Sequence, residues 1–119
     1  MLATGSGYTL YDFAPDTPTA SACVSTVCVL EWPPLTIDPG ATVRLGHGLQ
    51  AKLAGTLRRP DGSEQVTYDG HPLYRWNGDV APGMITGQAI DNAGGLWYVL
   101  RPSGAQVLTP FSVTRSAGP

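Results

Sequence analysis

Residues 7–16 read GYTLYDFAPD, and residues 70–79, which lie 63 positions later, read GHPLYRWNGD. The two stretches share a Gly, a Leu, a Tyr, an aromatic residue two places after the Tyr, and an Asp five places after it. Chance alone would rarely align five such positions, so we interpret them as an internal repeat. A chain of 119 residues has the usual length of one domain. We therefore predict a single domain, residues 1–119, built from two repeats of about residues 7–57 and 66–113.

The composition favours short strands over helices. The chain contains 15 Gly and 11 Pro, which interrupt helices and mark turns. Charged residues make up only 13% of the chain and the net charge is -2, so nothing indicates a nucleic-acid partner. The sequence has no run of about 18 apolar residues, and we predict no transmembrane segment.

The repeated stretch alternates as a strand does. Because neighbouring side chains of a strand point to opposite faces, the Leu of each copy faces one side, while the Tyr and the next aromatic residue face the other. The side chains concerned are Leu10, Tyr11 and Phe13 in the first copy and Leu73, Tyr74 and Trp76 in the second. A unit of about 60 residues is only marginally stable alone. We therefore predict an all-β fold, a small two-repeat sandwich or barrel-like domain with pseudo-twofold symmetry.

Turn signals and apolar runs indicate further strands between long Gly- and Pro-rich loops. Residues 56–59 and 64–68 flank residues 60–63, PDGS, which have the chemistry of a tight turn in a hairpin. Residues 96–100, LWYVL, are the strongest strand signal in the chain. Residues 80–95 are predicted to form a long Gly-rich loop.

Two other segments are less regular. Residues 23–32 are compatible with at most a short helical turn, which Pro33 and Pro34 must end. The last extended segment, near Val107, contains Pro110, which suggests an edge strand. Such an edge can pair between chains, so self-association is a further prediction.

Two interpretations suit the repeated Tyr and Asp, which are Tyr11 and Asp16 in one copy and Tyr74 and Asp79 in the other. Each Asp lies past a turn, where its carboxylate can accept hydrogen bonds from backbone N–H groups or from a hydroxyl. The pair then acts as a structural clamp. The alternative is a ligand-binding or catalytic acid. We favour the clamp, because the same pair occurs twice and two identical active sites in 119 residues would be unusual.

The sequence resembles a bacterial family of secreted and lipid-anchored repeat proteins that carry a Tyr-x4-Asp motif. The resemblance is carried by the two Tyr and Asp pairs, by the two cysteines that lead into residues 32–35 (WPPL), and by residues 59–62 (RPDG), 70–74 (GHPLY) and 97–99 (WYV). It implies an exported protein that is secreted or associated with the cell envelope, and it implies no activity. Family members usually begin with a leader and often carry a lipid-bearing cysteine, and the sequence shows neither.

Cys23 and Cys28 are the only cysteines. An even number of cysteines in an exported chain favours a disulfide, and closing so short a loop would stabilise the fold by roughly 2 kcal/mol. Metal binding is the rival interpretation, although structural zinc uses four ligands. A copper site from His47, His71 and Met84 is a weaker alternative, since imidazole and thioether suit copper. We predict no cofactor.

The leading functional hypothesis is a non-enzymatic module of the envelope that binds or scaffolds a protein partner or a glycan. The candidate side chains for contacting such a ligand are His71, Trp76, Trp97 and Tyr98, and packing into the core is the favoured role for the aromatic ones. The handling of a metal (copper) or of haem is the first alternative, and a hydrolytic enzyme is the second. The sequence contains no Gly-x-Ser-x-Gly elbow, and we assign no catalytic residue.

Overall fold

The chain folds mainly into strands, and the computed structural model describes residues 1–43, 45–46 and 48–108. The elements are, in order, β1 (Tyr11–Phe13), α1 (Thr26–Glu31), β2 (Thr36–Ile37), a 3-10 turn (Ala51–Leu53), β3 (Ala54–Arg58), β4 (Glu64–Tyr68), β5 (His71–Pro72), β6 (Ile90–Asn92) and β7 (Gly95–Val99). One antiparallel sheet has the order β1-β7-β6, and the other has the order β2-β4-β3 with β5 also paired to β4. The predicted all-β class is confirmed.

The hairpin of β3 and β4 forms where the turn signals predict it. Arg58 lies opposite Glu64, and the two side chains form a surface ion pair. In the turn between them Gly62 has a φ of 89°, a conformation that Gly adopts without strain. Asp61 accepts hydrogen bonds from both the N–H and the hydroxyl of Ser63. Local sequence is therefore sufficient to close this turn.

A second hairpin, formed by β6 and β7, lies partly in a segment predicted to be a loop. Asn92 pairs with Gly95, so only Ala93 and Gly94 connect the two strands. Both connecting residues have positive φ angles, 57° and 98°. Hairpin loops of this kind usually carry Asn-Gly or Asp-Gly. Ala93 gives no such signal, and the prediction of a continuous loop over residues 80–95 is wrong for its last part.

The helix α1 is short, and a disulfide fixes its first turn. Ser25 caps the helix, because its Oγ accepts a hydrogen bond from the N–H of Cys28 at 3.1 Å. Cys28 is disulfide-bonded to Cys23, and both are buried. The predicted disulfide is confirmed. The helix ends just before Pro33 and Pro34, which lack the N–H that a further turn requires.

The two repeats meet at a main-chain exchange between Tyr11 and Tyr74. The N–H of Tyr11 donates to the carbonyl of Tyr74 at 2.8 Å, and the N–H of Tyr74 donates back at 2.9 Å. On its other side Tyr11 pairs with Val99, and Tyr74 pairs with Pro34. Val99 and Pro34 are equivalent positions, because each lies two residues after a Trp. The four paired residues lie in the order Val99, Tyr11, Tyr74 and Pro34, which places equivalent residues symmetrically about the centre. A pseudo-twofold axis therefore runs between the two tyrosines.

The equivalence of the two copies extends to their outer segments. The N–H of Leu2 donates to the carbonyl of Leu100 at 2.9 Å, and the N–H of Val66 donates to the carbonyl of Leu35 at 2.8 Å. The equivalent contacts therefore reach from Leu2 to Leu35 in the first copy and from Val66 to Leu100 in the second, and the bounds of about 7–57 and 66–113 for the two repeats stay a prediction. Strand β3 lies between Leu35 and Val66 in the chain.

Four aromatic rings, two from each copy, stack across the axis in the order Phe13, Trp97, Trp32 and Trp76. The central pair, Trp97 and Trp32, has ring centroids 3.8 Å apart and planes within 2° of parallel. Tyr11 and Tyr74 pack edge-on against this pair, with centroid distances of 5.5 and 5.0 Å. We call these rings and the buried disulfide the aromatic core. Because the copies alternate along the stack, neither copy covers its own Trp.

The opposite face of the same strands carries a second, largely aliphatic cluster. Its members are Leu2, Leu10, Val66, Tyr68, Leu73 and Leu100, and we call it the aliphatic cluster. Leu10 and Leu73 lie in it, whereas the tyrosines that follow them lie in the aromatic core. This division between two faces is the one that the alternation in the sequence predicts.

The segment after β7 turns back and pairs with the end of that strand. The N–H of Val107 donates to the carbonyl of Val99 at 3.0 Å, and Gln106 forms a bridge with Leu100. Val107 is therefore paired within the chain along one side. Self-association through its other side stays a prediction, and Pro110 lies outside the described residues.

Because Trp97 is completely buried between two rings, Trp97→Ala is expected to lower the free energy of unfolding by about 3–5 kcal/mol. Trp76→Ala is the matched control, since Trp76 is half-buried at one end of the stack, and it should cost clearly less. Urea denaturation followed by far-UV circular dichroism measures both values. Equal losses would contradict a core centred on the twofold axis.

Candidate functional site

The repeated tyrosine of each copy hydrogen-bonds to the repeated aspartate of the other copy. The hydroxyl of Tyr11 donates to Asp79 Oδ2 at 2.6 Å, and the hydroxyl of Tyr74 donates to Asp16 Oδ2 at 2.8 Å. Sequence alone does not reveal that the partners are exchanged in this way. Each Tyr–Asp clamp therefore joins the two halves of the domain.

The second oxygen of each aspartate holds the loop that follows it. Asp16 Oδ1 accepts from the N–H of Ala22 at 2.6 Å. Asp79 Oδ1 accepts from the N–H of Thr86 at 2.8 Å and from its hydroxyl at 2.6 Å. The clamps thus fix two loops as well as the interface between the copies.

Burial determines the protonation states of the clamps. Desolvation, together with the bond to Asp79, raises the pKa of Tyr11 far above its ordinary value, and burial raises the pKa of Tyr74 to about 12. Both phenols therefore stay protonated and act as donors at neutral pH. Burial also raises the pKa of Asp16 to about 6, against the hydrogen bonds from Ala22 and Tyr74, which lower it. With their polar atoms already paired, these groups support a structural role better than acid–base chemistry.

A buried arginine, Arg59, which was not predicted from the sequence to have a role, braces the clamp of Tyr74. Arg59 is 4% exposed, and its guanidinium donates to Ser21 Oγ at 2.8 Å, to Gln65 Oε1 at 2.9 Å and to the carbonyl of Cys23 at 2.6 Å. The hydroxyls of Ser21 and Tyr74 are hydrogen-bonded in turn. Its charge is dispersed over neutral acceptors, which is the pattern of a structural arginine.

Beside the axis the two copies differ at two pairs of equivalent positions. Asp12 and Arg75 directly follow the two repeated tyrosines, while Tyr8 and His71 precede those tyrosines by three residues. His71 Nδ1 lies 3.2 Å from Asp12 Oδ2, whereas the guanidinium carbon of Arg75 lies 3.9 Å from the ring centroid of Tyr8. The same place in the fold therefore holds an ion pair in one half and a cation–π contact in the other.

His71 lies among carboxylates. Its hydrogen bond to Asp12 raises the pKa of His71, partial burial opposes this rise, and the charges of Asp69 and Asp16 add to it. Asp12 is 2% exposed and also accepts from Gln106 Nε2 at 2.6 Å. Its other oxygen, Oδ1, is buried and has no hydrogen-bond partner among the described residues. A protonated His71 therefore compensates a carboxylate that burial would otherwise destabilise.

The structure separates the aromatic residues that were predicted to contact a ligand. Trp97 is completely buried at the centre of the stack, so the prediction that it can contact a ligand is wrong. Tyr98 and Trp76 are half-buried. Trp76 borders an open depression of about 370 Å³, which is also lined by Tyr8, Arg75, Asn77 and Val80.

The structure describes two of the three candidate copper ligands, His71 and Met84. His71 is engaged by Asp12, and the carbonyl of Met84 accepts a hydrogen bond from the hydroxyl of Thr9 at 2.8 Å. His47 lies outside the described residues. In the part of the chain that the structure describes, no group of three or more His, Cys, Asp or Glu side chains is placed to hold a metal ion. A role in handling copper or haem stays a prediction.

An apolar cavity of about 630 Å³ lies against the aliphatic cluster. Its lining includes Leu10, Leu35, Ile37, Val43, Leu49 and Val66. None of the described side chains that line it carries a charge. Cavities that hold small molecules typically measure roughly 300–1,000 Å³ and are mostly apolar. The volume and the lining therefore suit a small apolar ligand.

Tyr68 fixes one edge of this cavity. Its hydroxyl donates to the carbonyl of Pro102 and accepts from the N–H of Gln50 at 3.0 Å, so it ties two loops together. The cavity was not apparent from sequence, since its walls come from distant segments. The only sequence feature that indicates the cavity is the set of apolar residues between residues 43 and 57, whose spacing fits neither a strand nor a helix.

The fold and these contacts define a two-repeat all-β module whose repeated Tyr and Asp residues hold its halves together. Residues 55–101, which include the second copy of the motif, match the model of a family described as a secreted repeat of unknown function. Over this stretch the predicted resemblance to a secreted repeat family is confirmed. Comparisons with curated proteins and with solved structures gave no match. Among the described residues, no helix has the length and apolar character needed to cross a membrane.

Tyr11→Phe is expected to lower the free energy of unfolding by about 1–3 kcal/mol, because it leaves both Asp79 Oδ2 and the N–H of Gly87 without their shared partner in a buried place. Tyr98→Phe is the matched control, since the Tyr98 hydroxyl makes no hydrogen bond with any described residue, and should change stability by less than about 0.5 kcal/mol. Urea denaturation measures both. A Tyr11 variant as stable as the control would show that the clamp is dispensable.

The ion pair of His71 predicts a dependence of stability on pH. Because the pKa of His71 is raised in the folded chain, its stabilising contribution is complete below about pH 6.5 and is lost as the pH rises through the folded-state value. Between about pH 6 and about pH 8.5 the wild type should therefore lose more stability than His71→Gln. Urea denaturation at both pH values measures the difference, and the titration of His47 cancels because both proteins contain it. Parallel pH profiles would exclude a raised pKa for His71.

Proposed function

We propose that the chain is an exported binding module of the cell envelope, without catalytic activity, and that its ligand is a small apolar molecule. The observation that carries the proposal is the cavity of about 630 Å³ beside the aliphatic cluster. Transfer of apolar surface out of water gains about 25 cal/mol per Å². An apolar molecule would therefore gain stability in this cavity from the burial of its own surface.

Hydroxyl groups at the cavity narrow the class of ligand. Thr42 and Thr67 also line it. A threonine hydroxyl both donates and accepts hydrogen bonds, so these side chains match a neutral polar group better than a charged one. We therefore expect a largely apolar molecule with a single hydroxyl, carbonyl or similar group.

Two observations support export. The match over residues 55–101 is to a family described as secreted. The disulfide between Cys23 and Cys28 is of the kind that persists in oxidising compartments outside the cytoplasm. Both agree with a location at the envelope or beyond it.

A neutral fluorescent probe, N-phenyl-1-naphthylamine, tests the proposal. We expect saturable enhancement of its fluorescence with the wild-type chain. Ala54→Leu adds three carbon atoms to the wall of the cavity and should weaken binding at least tenfold, or about 1.4 kcal/mol. Ala81→Leu is the matched control, because Ala81 is exposed and does not line the cavity, and it should bind as the wild type does.

The same assay separates this function from the handling of copper or haem. Equal affinity of the probe for Ala54→Leu and Ala81→Leu, with both variants folded by circular dichroism, would refute binding in the cavity. A saturable response to copper(II) or haem that neither variant alters would favour the alternative function instead. Enhancement that is lost only in Ala54→Leu supports the proposed one.

A further inference from the structure

Arg75 has no polar partner among the residues that the structure describes. Its guanidinium makes no hydrogen bond and no ion pair with them, and its Nε is buried. Arg58 and Arg59 differ in this respect, because Arg58 pairs with Glu64 and Arg59 donates to three acceptors. A cation that is half-buried and unpaired is costly, and an anion supplied by a ligand would remove that cost.

A cation–π contact restrains the position of this arginine. The guanidinium carbon lies over the ring of Tyr8, 3.9 Å from the ring centroid. At the equivalent position of the other copy, Asp12 is paired with His71. One of the two equivalent positions therefore holds Asp12, which is paired with His71. The other holds Arg75, a cation that contacts the ring of Tyr8 but has no anionic partner among the described residues.

The depression beside Arg75 has apolar walls as well as the charge. Trp76 is half-buried and packs against Trp32 with the two ring planes tilted by 30°, and Val80 is 76% exposed. Asn77 adds an amide that can donate and accept hydrogen bonds. A volume of about 370 Å³ accommodates one or two rings. The ligand that fits these walls carries its anionic group on a ring.

The charged residues around the depression favour a ligand with a single negative charge. Arg75 is the cation that lines it, and Asp79, which also borders it, is a carboxyl group held by Tyr11 and Thr86. A dianion such as a phosphate would be repelled by Asp79 more strongly than a monoanion. The fork of a guanidinium matches the two oxygens of a carboxylate.

We propose that this depression is a binding site for a carboxylate carried on a ring, and we call it the Arg75 site. Such a ligand is either an acidic sugar or an aromatic acid, since both present a carboxylate beside a ring that can pack on Trp76. The Arg75 site shares no lining residue with the apolar cavity. It is therefore independent of the function proposed above.

Titration of the full chain with glucuronate and with benzoate tests the site. Glucose and benzyl alcohol are the neutral counterparts, and the backbone and indole N–H signals of Trp76 in ¹H–¹⁵N spectra report binding. We expect shifts that saturate with at least one carboxylate and with neither neutral compound. Arg75→Gln should weaken binding at least tenfold, whereas Arg58→Gln, which removes an exposed arginine already paired with Glu64, should leave it unchanged.

A second variant keeps the test decisive if Arg75→Gln perturbs the fold. Val80→Glu changes an exposed side chain and places a like charge at the rim, so it should weaken carboxylate binding at least threefold at low salt. Saturation by glucuronate alone identifies an acidic sugar, and saturation by benzoate alone identifies an aromatic acid. Saturation by neither compound, or equal affinity in all variants, overturns the proposal.

Discussion

The reciprocal main-chain pairing of Tyr11 and Tyr74 is the constraint on which the rest of the structure depends. It brings the two copies together in antiparallel register, so that each tyrosine reaches an aspartate of the other copy. The same register interleaves the aromatic rings across the axis. Neither half covers its indole rings or pairs its buried hydroxyl by itself. The domain is therefore cooperative for a physical reason: both halves complete the same core.

In a domain with this symmetry, the candidate binding sites lie at positions where the two copies differ. The core must satisfy both halves, so its residues are constrained twice, whereas the positions of Asp12 and Arg75 have diverged into opposite charges. The segment between Leu35 and Val66 supplies β3 and several walls of the apolar cavity. Both candidate sites lie where the pseudo-twofold relation has been broken.

How much of the fold and of the candidate sites could be predicted from sequence depends on how far apart in the sequence the contacting residues lie. The turn at Gly62 and the disulfide between Cys23 and Cys28 join residues close in sequence, and local chemistry predicts them. Alternation along the repeated stretch predicts its two faces. The bond from Tyr11 to Asp79 spans 68 positions, and a copy of the same aspartate lies nearer in the chain, so sequence cannot identify the true partner. The cavity arises from the packing of several distant loops, for which no local pattern exists.

The exchange of partners has a consequence for how such a chain can arise. Nothing in the pairing of Tyr11 with Tyr74 requires both tyrosines to belong to one polypeptide, because their main-chain bonds and the two Tyr–Asp bonds across the axis are reciprocal. Reciprocal contacts of this kind are those of an isologous homodimer, in which two copies of one chain meet through the same surface. Fusion of the two genes removes the dependence of folding on protein concentration and lets each half acquire its own substitutions. A monomer of this design is in effect a dimer that can evolve asymmetrically.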